Sequence, residues 1–220
     1  MIRFENVQKS FWTRDGPKYV ARNINTVFPS NTSVALLGRN GAGKSTMMEM
    51  IGGSISPDTG TIKVTGSMSW PVGFAGSFHG DLTGRQNVKF IARVYGVDTD
   101  ELILFVEDFA ELGAHFHLPV RNYSSGMKSR LAFGVSIGIP FDTYLVDEVT
   151  SVGDASFKQK SRLVFAERMR NAGSVVVTHS MREVRALCTA GAVLENGELT
   201  YFEDVEDAIK LHLANMEAAD

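Results

Sequence analysis

The strongest chemical signal in this 220-residue sequence is a glycine-rich octapeptide that could hold phosphate groups. Residues 38–45, Gly-Arg-Asn-Gly-Ala-Gly-Lys-Ser, fit the pattern G-x-x-x-x-G-K-[ST]. Its glycines allow the backbone to approach phosphate oxygens with the N–H groups turned inward. Lys44 would reach the β- and γ-phosphates of a nucleotide, Ser45 would hold Mg²⁺, and Thr46 is a further candidate contact. The other loop residues that we expect at the phosphates are Gly38, Asn40, Gly41 and Gly43.

A second candidate site comes much later in the chain, where an apolar segment ends in two carboxylates. Residues 143–146 are predicted to form a strand, and Asp147 and Glu148 follow directly. Asp147 would contact Mg²⁺, directly or through water, and Glu148 could orient or deprotonate an attacking water. Two surface acids after a strand are the alternative, but their combination with the glycine-rich loop favours a metal and water site.

The elements that must position these residues alternate between strands and helices. An apolar strand at 34–37 precedes the glycine-rich loop and a helix at 44–51 follows it, so the loop lies at a helix N-terminus, where the dipole favours anions. Strands flank a helical block, which predicts an α/β core of residues 1–69 and 141–220 with a helical insertion at about 70–140. Further helices are predicted at 86–95, 99–112, 126–137 and 157–171, and further strands at 3–7, 61–65 and 174–177, with a turn at 15–17.

The composition excludes several classes of protein. Hydrophobic residues make up 44% of the chain and charged residues 21%, which excludes a disordered or fibrous protein. The net charge of −3 argues against a dedicated nucleic-acid binder. No run approaches the roughly 18 apolar residues of a membrane span, and the first residues resemble no secretory signal. We therefore expect any membrane role to come through a partner. The single cysteine, Cys188, predicts a reducing cytosolic location and a buried packing role rather than a reactive thiol.

A second anion site is predicted where Ser124, Ser125 and Gly126 open a helix, although ordinary helix capping is the alternative. Here the sequence resembles the ABC-type ATPases, whose signature LSGGQ corresponds to residues 123–127, Tyr-Ser-Ser-Gly-Met. Ser124 and Gly126, which carry the phosphate contact in that family, are kept, whereas Met127 replaces the glutamine. The resemblance extends from residue 2 to about 212. It implies a P-loop NTPase fold of the ABC type, an α/β mixed-sheet core with an N-terminal antiparallel β part and a helical insertion.

The same resemblance implies roles for residues elsewhere in the chain. His179 follows the strand at 174–177 and resembles the switch histidine, which touches the γ-phosphate. Phe11 or Trp12 resembles the aromatic residue that stacks on adenine, and Phe11 is favoured because it follows the family-like segment 6–10. Residues 151–154 resemble the D-loop. The glutamine that usually serves Mg²⁺ is missing between Gly66 and Gly84. The family resemblance implies ATP and Mg²⁺ as cofactors and a head-to-tail homodimer.

Several short segments resemble the branch of ABC ATPases that exports polysaccharides. These are Gly73-Phe74, residues 81–87 and residues 152–154, and the stretch 69–74 most resembles the capsular polysaccharide exporters of Gram-negative bacteria. From the length of 220 residues we do not expect the carbohydrate-binding domain that O-antigen members often carry. The resemblance implies an ATPase that drives export of a lipid-linked capsular polysaccharide. It would work at the cytoplasmic face of the inner membrane, with two permease copies and no nucleic acid.

Three alternatives remain open for the sequence. The exported cargo could be O-antigen, teichoic acid or lipid. A DNA-handling ABC ATPase is a rival, but no sustained heptads fill the interval between Lys44 and Ser124. A regulatory NTPase without a membrane partner is the third. The aromatic loop 70–80 could dock a helix of a membrane partner through Trp70, Phe74 and Phe78, or those rings could pack inward.

Overall fold

The fold is described from a computed structural model of the chain. It describes residues 1–14, 16–74, 76, 78–147 and 155–218. By their internal contacts, the described residues divide into two compact units, the first drawn from 1–69, 141–148 and 171–220 and the second from 70–140 and 149–170. We treat each unit separately. The strands are β1 (Ile2–Thr13), β2 (Gly16–Phe28), β3 (Ser33–Leu37), β4 (Thr59–Val64), β5 (Met68–Pro71), β6 (Thr143–Asp147), β7 (Gly173–Val177), β8 (Ala190–Glu195) and β9 (Glu198–Phe202).

The N-terminal sheet has the strand order β2-β1-β4, and both pairings are antiparallel. This confirms the N-terminal antiparallel part that the sequence predicts, but the predicted strand at 3–7 is too short. The polar residues that follow it continue β1 because β2 supplies their hydrogen bonds. The predicted turn at 15–17 is also wrong in its placement, since Gly16 and Pro17 already pair with Thr13 and Trp12 as the first residues of β2. Proline is tolerated there because β2 is an edge strand.

The main sheet has the order β5-β6-β7-β3-β8-β9. The pairings of β6 with β7, β7 with β3 and β3 with β8 are parallel, whereas β8 and β9 are antiparallel, so the predicted mixed α/β sheet is confirmed. All five residues of β3 and of β7 are buried, as expected for parallel strands covered on both faces. Because β3, β6 and β7 run parallel, Leu37, Asp147 and Val177 end at the same edge of the sheet. The loops that follow these strands therefore meet there.

The helices are α1 (Lys44–Ile51), α2 (Gly84–Tyr95), α3 (Thr99–Ala110), α4 (Ser125–Gly138), α5 (Ala155–Met169), α6 (Met181–Leu187) and α7 (Val205–Glu217). α1 has the predicted bounds. α2 begins two residues before the predicted start because Thr83 and Gln86 form a capping box. α3 ends two residues before the predicted end, where Glu111 takes a left-handed conformation with φ of 53°. α6 and α7 were not predicted, because each is too short or too irregular in its apolar pattern to be recognised alone.

The second unit contains a cluster of packed aromatic rings, one pair stacked and one pair edge to face. Phe109 of α3 lies 5.7 Å from the ring of Phe133 and 5.2 Å from that of Phe157, measured between centroids. Gly134 allows this packing, since a Cβ atom there would come within 3.2 Å of the Phe109 ring. Within the described residues of the chain, no helix is long and apolar enough to cross a membrane.

Cys188 lies between α6 and β8 and is buried, which confirms the predicted packing role. Burial raises the pKa of its thiol to about 12. The thiolate is the nucleophilic form of cysteine, so Cys188 is inert at neutral pH.

Candidate functional site

A cleft of about 530 Å³ opens at the edge of the main sheet where β3, β6 and β7 end. It gathers residues that are far apart in the sequence, from the N-terminal sheet, the glycine-rich loop, α1 and the ends of two parallel strands. Nine of the predicted site residues line it: Phe11, Asn40, Gly41, Gly43, Lys44, Ser45, Thr46, Asp147 and His179.

The glycine-rich loop takes its path because its glycines fit where other residues cannot. Gly43 precedes α1 with φ of 110°, in the left-handed region that disfavours side chains. A Cβ atom there would also lie 2.7 Å from Cβ of Val20. At Gly38 a Cβ atom would come within 2.5 Å of the Leu194 carbonyl oxygen. The loop is therefore packed closely against β2 and β8.

The Lys44 ammonium is held over the loop. Its Nζ donates hydrogen bonds to the carbonyl oxygens of Gly38, at 2.7 Å, and Arg39, at 3.1 Å. Gly38 does not line the cleft itself, and in this arrangement its carbonyl serves as an acceptor for Lys44. The lysine is thus oriented before any ligand arrives. An anion in the cleft would find a cation positioned beside a helix N-terminus, an arrangement that suits the phosphates of a nucleotide.

Two oxygen-bearing side chains of the cleft suit a hard divalent cation. Ser45 is exposed on the first turn of α1, and Asp147 is the exposed last residue of β6. A hydroxyl and a carboxylate are ligand types that Mg²⁺ prefers, and Mg²⁺ usually takes its remaining ligands from water and substrate phosphates. The donor set at this edge therefore fits Mg²⁺ bound together with a nucleotide.

His179 enters the cleft from a short loop that is tied down on both sides. Thr178 Oγ1 donates to Glu183 Oε2 at 2.9 Å and accepts from the Ser180 backbone N–H at 3.2 Å. Ser180 in turn caps α6, since its Oγ accepts from the Glu183 N–H at 3.3 Å. Asp147 pairs in register with Val177, two residues before His179, so the carboxylate and the imidazole enter the site from adjacent strands.

The two aromatic candidates at the N-terminal sheet differ in position. Phe11 lines the cleft and keeps 45% of its surface exposed, whereas Trp12 is 85% exposed and lies outside the lining. The Lys9 ammonium lies 5.5 Å from the centroid of the Phe11 ring and 2.8 Å from Asp58, so the ring is flanked by an anchored cation. Phe11 is therefore the better placed of the two to meet a nucleotide base.

The remaining predicted residues are not brought into this cleft. Ser124 and Gly126 belong to the second unit, at the start of α4, where Ser124 Oγ accepts from the Met127 N–H at 3.2 Å. The capping role of Ser124 is thus observed, and a phosphate contact by Ser124 and Gly126 stays a prediction. Glu148 and the D-loop candidate 151–154 lie outside the described residues.

Three lining residues were missed by the sequence analysis: Lys18, Val20 and Val177. Val177 ends a predicted strand, so the meeting of strand ends could have indicated it. Lys18 and Val20 belong to β2, and the face that each presents depends on a pairing register that contains several irregularities. No local pattern marks them. None of the described lining residues is a glutamine.

Comparison with known proteins agrees with this geometry. The family model described as ABC transporter matches residues 21–151. The chain is 49% identical over 212 residues to the polysialic acid transport ATP-binding protein KpsT of Escherichia coli, covering 95% of each protein. It is 43% identical to the capsule polysaccharide export ATP-binding protein CtrD of Neisseria meningitidis serogroup B, covering 96% of this chain and 98% of that protein.

Solved structures support the fold independently. The dimeric ATP-binding cassette MJ0796, in a post-hydrolysis state bound to ADP and Pi, superposes with a TM-score of 0.75 at 21% identity and covers 93% of this chain and 99% of its own. At that identity the likeness concerns the fold alone. The fold predicted from the family resemblance is thereby confirmed. The chain belongs to the ABC transporter family, and within it is similar to the ATP-binding proteins of capsule polysaccharide export.

Proposed function

We propose that this protein is the ATP-hydrolysing subunit of an ABC exporter that moves a lipid-linked capsular polysaccharide across the inner membrane. The observation that carries the proposal is the cleft, which places the glycine-rich loop, Ser45, Asp147 and His179 around one volume. Capsular polysaccharide is the proposed cargo because the names of both relatives specify a polysaccharide. The protein would act at the cytoplasmic face of the membrane, bound to two permease copies.

The nucleotide would lie along the cleft from the N-terminal sheet to the end of β6. Phe11 offers an exposed ring to the adenine, and the loop residues that line the cleft, Asn40, Gly41 and Gly43, would face the phosphates. Lys44 would exchange the carbonyl oxygens of Gly38 and Arg39 for oxygens of the β- and γ-phosphates, and each of these hydrogen bonds would become stronger because the new acceptor is charged. Thr46, which also lines the cleft, adds a hydroxyl donor.

Hydrolysis requires a held metal and a positioned water. Ser45 and Asp147 would hold Mg²⁺, which when bound neutralises charge on the phosphates. Glu148 follows Asp147 directly in the chain and would accept a proton from the attacking water. His179, in the loop that follows the neighbouring strand β7, would donate a hydrogen bond to the γ-phosphate.

The second unit carries the remaining phosphate contacts. We assign Ser124 and Gly126 to the nucleotide of a second copy of the chain, in a head-to-tail homodimer with two ATP molecules at the interface. Donors from both subunits would share the charge of each γ-phosphate, so its loss on hydrolysis removes contacts between subunits. This opening and closing would drive the membrane subunits between conformations.

Replacing Glu148 by Gln tests the water-positioning role and the dimer together. The amide keeps the size of the side chain but cannot take a proton, so we expect ATP hydrolysis to fall by about 10²-fold or more. ATP should then remain bound, and gel filtration with MgATP should show a dimer. The matched control is Glu198→Gln, an exposed glutamate of β9, which should leave both measurements unchanged. A Glu148→Gln protein that stays monomeric with ATP and hydrolyses it normally contradicts the assignment.

The aromatic loop 70–80 is the proposed docking surface for the membrane subunit, and its rings are unequal. Trp70 is half-buried, with its ring centroid 5.1 Å from that of Tyr95 within the second unit, and Phe78 is also half-buried. Phe74 keeps 55% of its surface exposed beside Gly73 and Gly76. The ring that remains available to a partner is therefore Phe74.

Replacing Phe74 by Ala should reduce binding to the membrane subunit by about tenfold or more, the effect of losing an aromatic anchor from an interface. Basal ATP hydrolysis and the melting temperature should not change. Co-purification of the membrane subunit and the amount of surface polysaccharide measure the effect. Phe90→Ala is the matched control, because Phe90 of α2 is 60% exposed in the same unit but lies outside the loop. Equal losses of binding to the membrane subunit in both variants would contradict a docking role for the loop.

A further inference from the structure

Lys18 of β2 is an exposed cation beside the nucleotide cleft that has no role in the proposed function. It pairs in register with Phe11 of β1, and residues directly opposite each other in an antiparallel pair place their side chains on the same face of the sheet. Both residues line the cleft. Because Phe11 is the ring proposed for the adenine, the side chain of Lys18 begins at the end of the cleft where the base would lie.

The Lys18 ammonium reaches from the N-terminal sheet to the glycine-rich loop. A Cβ atom placed on Gly41 would lie 3.5 Å from Lys18 Nζ, and beyond the neighbours of Gly41 in the chain no other atom of the described residues comes within 4 Å of that position. Gly41 has φ of 78°, in the left-handed region that favours glycine. The absence of a side chain at Gly41 therefore leaves open space between the loop backbone and the Lys18 ammonium.

The charge of Lys18 has no partner within the described part of the chain. Glu195 lines a second cleft together with Lys18, but its Oε2 atom has no hydrogen-bond partner among the described residues. Lys9, the other cation near the Phe11 ring, is by contrast anchored to Asp58 at 2.8 Å. Of these two lysines, Lys18 is the one whose ammonium is available to a ligand in the cleft.

We propose that Lys18 is a nucleotide-binding residue whose ammonium donates hydrogen bonds to the phosphates that ATP and ADP share. The inference rests on the proposed placement of the nucleotide, with its base at Phe11 and its metal at Asp147. Since Lys18 extends from the base end of the cleft, the phosphates nearest the base are the ones within its reach. A lysine ammonium is a point charge with three donors on a flexible stem, so it can follow a phosphate chain without a fixed geometry.

This contact has a kinetic consequence that separates Lys18 from Lys44. A hydrogen bond to phosphates that are present both before and after hydrolysis binds the substrate and the transition state equally. Its loss therefore weakens the binding of ATP and ADP and raises KM for MgATP, but it should not lower kcat. Replacement of Lys44 is expected to lower kcat, because that cation contacts the transferred group.

The test compares two replacements of Lys18 by isothermal titration calorimetry with MgADP. Lys18→Met keeps an unbranched apolar stem without the charge and should bind MgADP about tenfold more weakly, the lower end of the effect of a hydrogen bond to a charged group. Lys18→Arg keeps the charge and should retain most of the affinity, because the exposed side chain has room for a guanidinium. Lys63→Met is the matched control, since it removes an exposed cation from β4 of the same sheet and should leave the affinity unchanged.

The possible results distinguish this inference from the proposed nucleotide site. Saturable MgADP binding by the wild type with an unchanged affinity in Lys18→Met would overturn this inference alone. Equal weakening in Lys18→Met and Lys18→Arg would also overturn it, because the loss would then follow the shape of the side chain rather than its charge. A lower kcat for MgATP in Lys18→Met with an unchanged KM would contradict a contact to the shared phosphates. Failure of the wild-type protein to bind MgADP would overturn the proposed nucleotide site as well.

Discussion

Replacing Lys44 by Ala should lower the rate of ATP hydrolysis by about 10²- to 10³-fold, the cost of removing one preorganised donor from a developing charge. The negative charge on the phosphoryl oxygens is spread over the transferred group in the transition state, and Lys44 is the loop cation that lines the cleft. Alanine supplies neither the charge nor the hydrogen bonds. Hydrolysis is measured as phosphate release at saturating MgATP, so that the loss is read in kcat rather than in binding alone.

The hydrogen bonds of Lys44 lead us to expect that only lysine at this position supports the wild-type rate of ATP hydrolysis. Its Nζ is already held by the carbonyls of Gly38 and Arg39, so the ammonium is oriented at no cost when a phosphate replaces them. Arginine should therefore not restore the rate, because a planar guanidinium presents its donors in a different geometry.

The matched control is Lys63→Ala on β4. Lys63 pairs with Glu5 at 2.7 Å on an exposed surface, where solvent screening leaves such pairs little effect on stability. Its replacement should leave hydrolysis unchanged. A Lys44→Ala protein that is folded to the same degree as Lys63→Ala and retains more than about a tenth of the wild-type rate of ATP hydrolysis would contradict a role for Lys44 in the reaction.

The parts of the site that are contiguous in sequence were predictable, because their conformation depends on neighbouring residues. The path from β3 through the glycine-rich loop into α1 depends on a few neighbouring residues, such as Gly43 with its left-handed backbone, so the pattern alone gives the geometry. Asp147 was predictable for a similar reason. A run of apolar residues that ends in an acid predicts a buried parallel strand with the acid at its exposed carboxyl end. The family resemblance then added His179 and Phe11, which no local pattern would have selected.

The parts that were missed depend on register and on distant packing. β1 extends to Thr13 only because β2 pairs with it, and irregular pairing between Phe4 and Ser10 decides which side chains of both strands face the cleft. α7, which the sequence did not predict, packs against β3 and β8. The α7–β3 contacts join residues more than 150 positions apart, and no spacing rule encodes them.

The burial of Cys188 opens a direct test of the head-to-tail arrangement by thiol cross-linking. Its thiol is buried and its pKa is raised to about 12, so a maleimide reagent should not react with it in the folded protein. Cysteines introduced on the surface are then the reactive ones. The arrangement predicts that the glycine-rich loop of one subunit faces the start of α4 of the other subunit across the nucleotide.

Mixing Asn40→Cys protein with Ser125→Cys protein, both carrying Glu148→Gln, should give a covalent heterodimer with a short bis-maleimide only when MgATP is present. Asn40 and Ser125 are both exposed, and replacing Ser125 leaves the Ser124 cap intact. We expect nearly all-or-none behaviour, because without ATP the γ-phosphate that joins the subunits is missing. The products are measured as dimer bands on a denaturing gel.

Asp100→Cys is the matched control for Ser125→Cys, since Asp100 is exposed in the first turn of another helix of the same unit. Mixed with Asn40→Cys, it should give only the background seen without nucleotide. Equal cross-linking of Asp100→Cys and Ser125→Cys would show random collision. Efficient cross-linking of Ser125→Cys with itself would instead place the two α4 helices together, because a two-fold dimer that opposes loop to α4 keeps identical residues apart. The head-to-tail arrangement, and with it the assignment of Ser124 and Gly126 to the partner's nucleotide, requires the mixed pair to be the product.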